Sequence, residues 1–224
     1  MCGRYTVVAD ADELSGHLDA PWRSAPLAAP RFNIAPTQHA PVLLRDEGQD
    51  VLDMYRWGLI PFWAKDAGIG NRMINARAET VREKPAFRRA FERRRCLVPT
   101  SGFFEWQKTG AGKVPHWIHP ADGGLLTLAG LWERWTPADA EPVYSYTILT
   151  TAANSFMQPL HERMPVIVAD RDRNGWLDSE AEPEALAALL RPAPEALLAA
   201  HPVSTWVNAP GNDATRCIEA SGGA

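Results

Sequence analysis

Hydrophobic positions in this chain fall mostly into short runs, each closed by a turn-forming residue. Weak alternation over residues 3–8 ends in Val7-Val8 and predicts a first strand almost at the amino terminus. Residues 10–18 carry Asp10, Asp12 and Glu13 early, with Leu14 and Leu18 at helical spacing, so a short amphipathic helix is expected. Five prolines between positions 21 and 41 predict an ordered loop. Strands are expected at 41–45 and 51–57. Over 79–95, Phe87 and Phe91 stand four apart among arginines, which predicts a helix with one buried face. Short apolar or alternating runs follow at 96–99, 103–106, 116–118, 125–132, 144–150 and 164–168, separated by Gly, Pro and Asp. Residues 183–200 are rich in Ala and Leu and read as helical, 201–207 as a last strand, and 221–224 as a frayed tail. Many short strands with a few clustered helices predict an α+β fold: one domain over 1–220, built on a curved, mostly antiparallel sheet flanked by helices. No internal repeat or linker divides it.

With 224 residues, 46% of them hydrophobic, the chain can bury a full core and is not of disordered composition. No apolar run reaches the roughly 18–20 residues a membrane helix needs, and no secretory signal opens the chain, so an intracellular location is expected. Cys2, Cys96 and Cys217 stand far apart with no C-x-x-C pair, which excludes a disulfide framework and suits a reducing compartment. His116 and His119 lack a carboxylate or thiol at ligand spacing, so no metal is expected. A net charge of −4 argues against non-specific coating of DNA, but the charge is uneven. Residues 1–100 hold 15 Lys and Arg against 12 Asp and Glu, whereas residues 101–224 hold 8 against 15. A local basic surface in the first half would have to be built largely from arginines.

Cys2 carries the most specific chemistry. Aminopeptidases remove a first methionine when the next side chain is small, and the product carries an amine and a thiol on one residue. With pKa values of roughly 8 and 8.5, both are partly nucleophilic near neutral pH. Such a 1,2-aminothiol condenses with an aldehyde to an imine, and the thiol then closes a thiazolidine ring. Gly3 allows another backbone to approach closely. In Asn75-Ala76-Arg77-Ala78-Glu79, Asn75 can orient an amine or hold a hydroxyl, and Arg77 offers a planar fork for phosphate; a plain turn with a solvated arginine fits equally. Glu105 lies within Gly102-Phe103-Phe104-Glu105-Trp106. Either it is buried, with a raised pKa suited to general acid/base work, or strand alternation turns it to solvent. His161 can shuttle protons and Arg163 can bind phosphate, or both are surface residues. In the loop 57–63, Trp57 suits core packing and Trp63 suits stacking on an unpaired base. The run Arg93-Arg94-Arg95 fits a phosphate patch or a solvated helix end.

Together and in order, these pieces resemble the SRAP family (SOS-response-associated peptidases), which processes abasic sites. The matching pieces include Met1-Cys2-Gly3-Arg4-Tyr5, Asn33-Ile34-Ala35-Pro36, Trp57-Gly58-Leu59-Ile60-Pro61, Asn75-Ala76-Arg77, Gly102-Phe103-Phe104-Glu105-Trp106 and His161-Glu162-Arg163-Met164-Pro165. The resemblance extends to about residue 208. It implies a barrel-like sheet and a positively charged groove for single-stranded DNA containing abasic sites, with no cofactor, acting as a monomer. By the same resemblance Cys2 is the cross-linking nucleophile, with Asn75, Glu105 and His161 around it. Arg4, Arg77 and Arg163 would hold phosphates, with Gly3 and Trp63 against the DNA. His161 would move a proton at the sugar O4′, and Glu105 one at the Cys2 amine. Two other classes use the same residues differently: an N-terminal-nucleophile cysteine peptidase or hydrolase acting at least on its own Met1, and a non-catalytic single-stranded DNA binder.

Overall fold

Two sheets are built from the alternating segments, in a computed structural model that describes residues 2–138 and 140–222. In chain order the elements are β1 (Tyr5–Val7), α1 (Ala11–Leu18), β2 (Arg31–Ile34), β3 (His39–Asp46), β4 (Gln49–Trp57), β5 (Asn75–Arg77) and α2 (Arg88–Arg93). Then come β6 (Arg95–Thr100), β7 (Gly102–Thr109), β8 (Gly112–Pro120), β9 (Leu126–Trp135) and β10 (Val143–Ala152). The last are β11 (Arg163–Pro165), β12 (Ile167–Val168), α3 (Arg173–Leu177), α4 (Pro183–Leu189) and β13 (Leu198–Pro202).

The larger sheet closes on itself. Strands β4, β3, β6 and β9 pair in succession, and β10 pairs with both β9 and β4. Closure of a ring removes free strand edges and accounts for the barrel-like shape that the family resemblance implies. Gly130 permits a tight seam in that ring, because a Cβ there would lie 2.9 Å from Cys96 Sγ and 3.2 Å from the Thr147 carbonyl. The second sheet runs β13-β8-β7-β1-β2. One apolar core draws on both sheets and includes Tyr5, Trp57, Leu97, Phe103, Leu131 and Tyr146. The Tyr5 ring meets Trp57 edge-on at 5.1 Å between centroids, and Trp57 stacks on Tyr146. A smaller cluster of Phe104, Val203, Val207 and Cys217 lies apart from that core.

Helix α1 begins as its sequence predicts. Asp10 accepts from the Asp12 and Glu13 amides, Glu13 returns a bond to the Asp10 amide, and Leu14 and Leu18 are buried. Elsewhere the helices are shorter than periodicity suggests. The helix expected over 79–95 is only α2, preceded by turns, because Pro85 has no amide hydrogen to donate and disfavours helix at the residue before it. The helix expected over 183–200 ends with α4. Pro192 and Pro194 then break it, and Leu198 starts β13, so the last strand falls at 198–202 and residues 205–208 form a 3-10 turn. The proline-rich loop contains an unexpected strand, β2. Of the expected tail, Ser221 donates its amide to the Pro202 carbonyl, while residues 223 and 224 lie outside the described residues, as does Met1. Among the described residues no helix is long and apolar enough to cross a membrane.

Candidate active site

Strand β1 lies between β7 and β2 in the second sheet and carries the start of the chain to the site. It pairs with β7 in the register Tyr5↔Phe103, and the Phe104 amide donates to the Arg4 carbonyl at 2.9 Å. The same register carried further sets half-buried Gly3 opposite Glu105. Phe103 and Glu105 alternate onto one face of β7, and Phe103 belongs to the main core, so strand geometry sends the carboxylate inward. Glu105 is 3% exposed, which decides between the two sequence readings in favour of burial. Burial pushes its carboxyl above the usual glutamate range. Cys2 is fully buried, with its thiol 3.8 Å from the Arg4 carbonyl oxygen. Burial first, and the Glu105 charge second, hold that thiol well above its ordinary pKa.

Asn75 arrives on β5, which runs parallel to β10 with Ile148↔Asn75 and Thr150↔Arg77 in register. Period-2 alternation buries Ala76 and puts Asn75 and Arg77 together on the opposite face. Asn75 Nδ2 donates to the Cys2 carbonyl oxygen at 2.8 Å. Its Oδ1 is buried and has no hydrogen-bond partner among the described residues. The amide thus grips the backbone of residue 2 and leaves an acceptor beside it.

His161 ends a turn that starts at Ala153. Asn154 Oδ1 accepts from the Met157 amide, the His161 amide donates to the Met157 carbonyl, and Ala153 closes the turn through the Glu162 carbonyl. The Arg163 amide donates to His161 Nδ1 at 2.9 Å. A ring nitrogen that accepts carries no proton, so the neutral imidazole is the Nε2–H tautomer, with Nε2 as its donor.

The arginines differ in availability. Arg77 is exposed, and its guanidinium makes no hydrogen bond or ion pair among the described residues. Arg163 forms a bidentate pair with Glu79 at 2.6 and 2.9 Å and donates to the Thr150 carbonyl at 2.6 Å. Arg4 is half-buried and donates to Asn33 Oδ1 and to the carbonyls of Val207 and Asn208, so it ties β1 to the carboxy-terminal segment. Trp57 is buried, as its place in the core requires, whereas Trp63 is 49% exposed. Gly58 turns the chain between them at φ 110°, where a Cβ would clash with the Gly70 carbonyl oxygen. Trp63, Met73, Asn75, Arg77, Lys84 and Phe87 line a cleft of about 420 Å³. Of the run 93–95, Arg94 pairs with Glu133 and Arg95 is buried against the Phe91, Glu92 and Trp176 carbonyls, leaving Arg93 at the surface. Sequence reasoning assigned nothing to Glu79 or Asn33. The only signal for Glu79 was its position two residues beyond Arg77.

Four segments distant in sequence therefore bring Cys2, Asn75, Glu105 and His161 to one place, with Arg77 and Trp63 along the adjoining cleft. The sequence profile described as SOS response associated peptidase (SRAP) matches residues 1–210. Abasic site processing protein YoqW of Bacillus subtilis is 38% identical over 223 residues, covering 98% of this chain and 99% of that protein. Abasic site processing protein HMCES of Gallus gallus is 33% identical over 97% of this chain and 77% of its own length. A crystal structure of a Bacteroides thetaiotaomicron protein superposes with a TM-score of 0.88 at 25% identity, covering 98% of this chain and all of that one. The chain belongs to the SRAP family.

Proposed function

We propose that this protein processes abasic sites in DNA, capturing the open-chain sugar aldehyde covalently through Cys2 once Met1 has been removed. The observation that carries this reading is the placement of Cys2, whose backbone is held by Asn75 and whose thiol is buried beside the Glu105 carboxylate. With the thiol kept protonated, the α-amine is the first nucleophile. It adds to the aldehyde carbon to form a carbinolamine, which loses water to give an imine. The thiol sulfur then bonds to the imine carbon, its proton passes to the nitrogen, and the thiazolidine closes with one water released overall. The raised pKa of Glu105 suits it to take a proton from the amine and return it to the departing hydroxyl. Asn75 Oδ1 supplies an acceptor for an amine N–H. His161, donating from Nε2, moves a proton at the sugar O4′ as the ring opens. Because amine and thiol arrive on one residue, proximity carries much of the rate. Single-stranded DNA is the substrate this reading favours, with Arg77 and Arg163 on phosphates and Trp63 on a base.

The deciding measurement is denaturing electrophoresis after incubation with abasic single-stranded DNA. The mature protein should give a heat-stable adduct, Cys2→Ser at most an imine that requires reductive trapping, and Cys2→Ala none. Full-yield adduct from Cys2→Ala would end the proposal. The family's description as peptidases supports a second reading, hydrolysis of the Met1–Cys2 bond by the protein itself. It predicts that Met1 is lost from the parent but kept in Cys2→Ala when both are synthesised without aminopeptidase.

A further inference from the structure

Glu79 interacts with both arginines that the proposed function assigns to phosphate. Its carboxylate occupies both arms of the Arg163 fork, from Nη1 to Oε1 at 2.6 Å and from Nη2 to Oε2 at 2.9 Å. It also feels the charge of Arg77, two residues before it on the same turn. The pair is asymmetric in exposure, with the Arg163 side chain 13% exposed and Glu79 50%. The Thr150 carbonyl also accepts from the guanidinium, so the less exposed Arg163 is anchored while Glu79 can swing away. Arg163 Nε is buried and has no hydrogen-bond acceptor among the described residues, so the present pairing leaves this arginine incompletely satisfied. A carboxylate and a phosphodiester compete for the same fork, because guanidinium pairs with both in the same planar, two-bond geometry.

We propose that Glu79 is a built-in competitor for DNA phosphate, which keeps backbone affinity low so that lasting retention depends on reaction at the lesion. This rests on the reading that Arg163 faces the DNA backbone. In the free protein Glu79 neutralises Arg163, and a phosphodiester must displace the carboxylate before it can bind. Undamaged single strands then gain little from Arg163 and leave, whereas an abasic strand is held by the covalent bond to Cys2. Glu79 thereby sets discrimination between damaged and intact DNA without touching the reacting atoms.

The test measures equilibrium binding of undamaged single-stranded DNA across a salt series, for the parent, Glu79→Gln, Arg163→Ala and the double variant. Glu79→Gln is expected to bind about 2- to 5-fold tighter, the range of a partly exposed ion pair removed as competitor. Its log K against log salt should steepen, by at most about 0.7. In the Arg163→Ala background the same substitution should change nothing beyond a weak general charge effect. Unchanged or weaker binding by Glu79→Gln overturns the proposal, and so does an equal gain with Arg163 absent. A misfolded variant would lose binding, not gain it, so the expected sign is its own control. Cross-linking of the parent to abasic DNA is scored separately. Its failure would count against covalent capture while leaving the binding result to decide Glu79.

Discussion

Glu105 illustrates how one buried group couples chemistry to stability. Its carboxyl is raised by burial, so between the ordinary value of 4.5 and its higher folded value the native state binds more protons than the unfolded chain. Stability contributed at this position is therefore intact below pH 4.5 and falls as pH rises through that window. Glu105→Gln removes the penalty. We expect its melting temperature to match the parent in acid and exceed it near neutrality, by roughly 2–4 °C per kcal/mol relieved. The same variant should slow imine formation by roughly 10²- to 10⁴-fold, even with a small aldehyde that has no ring to open. His161→Ala should slow only the ring-closed abasic site. Single-turnover rates with both substrates separate the two roles, and equal slowing of both substrates by both variants would merge them into one network. Legibility at this scale followed chain position. Cys2 stood out because its chemistry depends on being second in the sequence. Glu79 did not, since its meaning comes from Arg163, 84 residues away.

At the scale of elements, one buried side chain gathers several of the bonds that hold the carboxy-terminal segment. Asn33 on β2 donates through Nδ2 to the carbonyls of Val207, Ala209 and Asn212, while its Oδ1 accepts from Arg4. Removing it takes a donor from these carbonyls and an acceptor from the half-buried Arg4, at a cost of about 1–3 kcal/mol. Asn33→Ala should therefore lower the melting temperature, and amide exchange over residues 205–212 should speed up before the barrel strands lose protection. Uniform loss of protection would mean the segment is not separately held. The barrel strands were legible because each is an apolar run between turn residues, and pairing then only had to choose partners. The helices were not, because Ala and Leu content over 183–200 says nothing of Pro192 and Pro194 until their missing amides are counted. Strand β2 was hidden for a related reason: its partner is β1 at the chain start, and prolines flank it on both sides.

Across the whole molecule, the uneven charge acquires a location. The acidic second half supplies β10, which flanks β5 and β11, while the basic first half supplies Arg77 and most of the surrounding cleft. A chain of net charge −4 can therefore still offer a phosphate a locally favourable surface, provided the arginines there are not spent on internal contacts. Arg95 is spent on backbone carbonyls and Arg94 on Glu133, whereas Arg77 and Arg93 are both exposed. These two make a controlled comparison, since losing either changes the net charge by the same amount. If binding follows overall charge, Arg77→Ala and Arg93→Ala should weaken single-stranded DNA equally and alter its salt dependence alike. If it follows the cleft beside Asn75, only Arg77→Ala should act. The slope of log K against log salt should then flatten by about 0.7, the single-strand value for one lost phosphate contact. Arg93→Ala should leave that slope unchanged, because Arg93 lines a different cleft, with Arg45, Trp132 and Asp178. Equal effects from the two variants would remove Arg77 from the interface and make the phosphate contact a property of the surface at large.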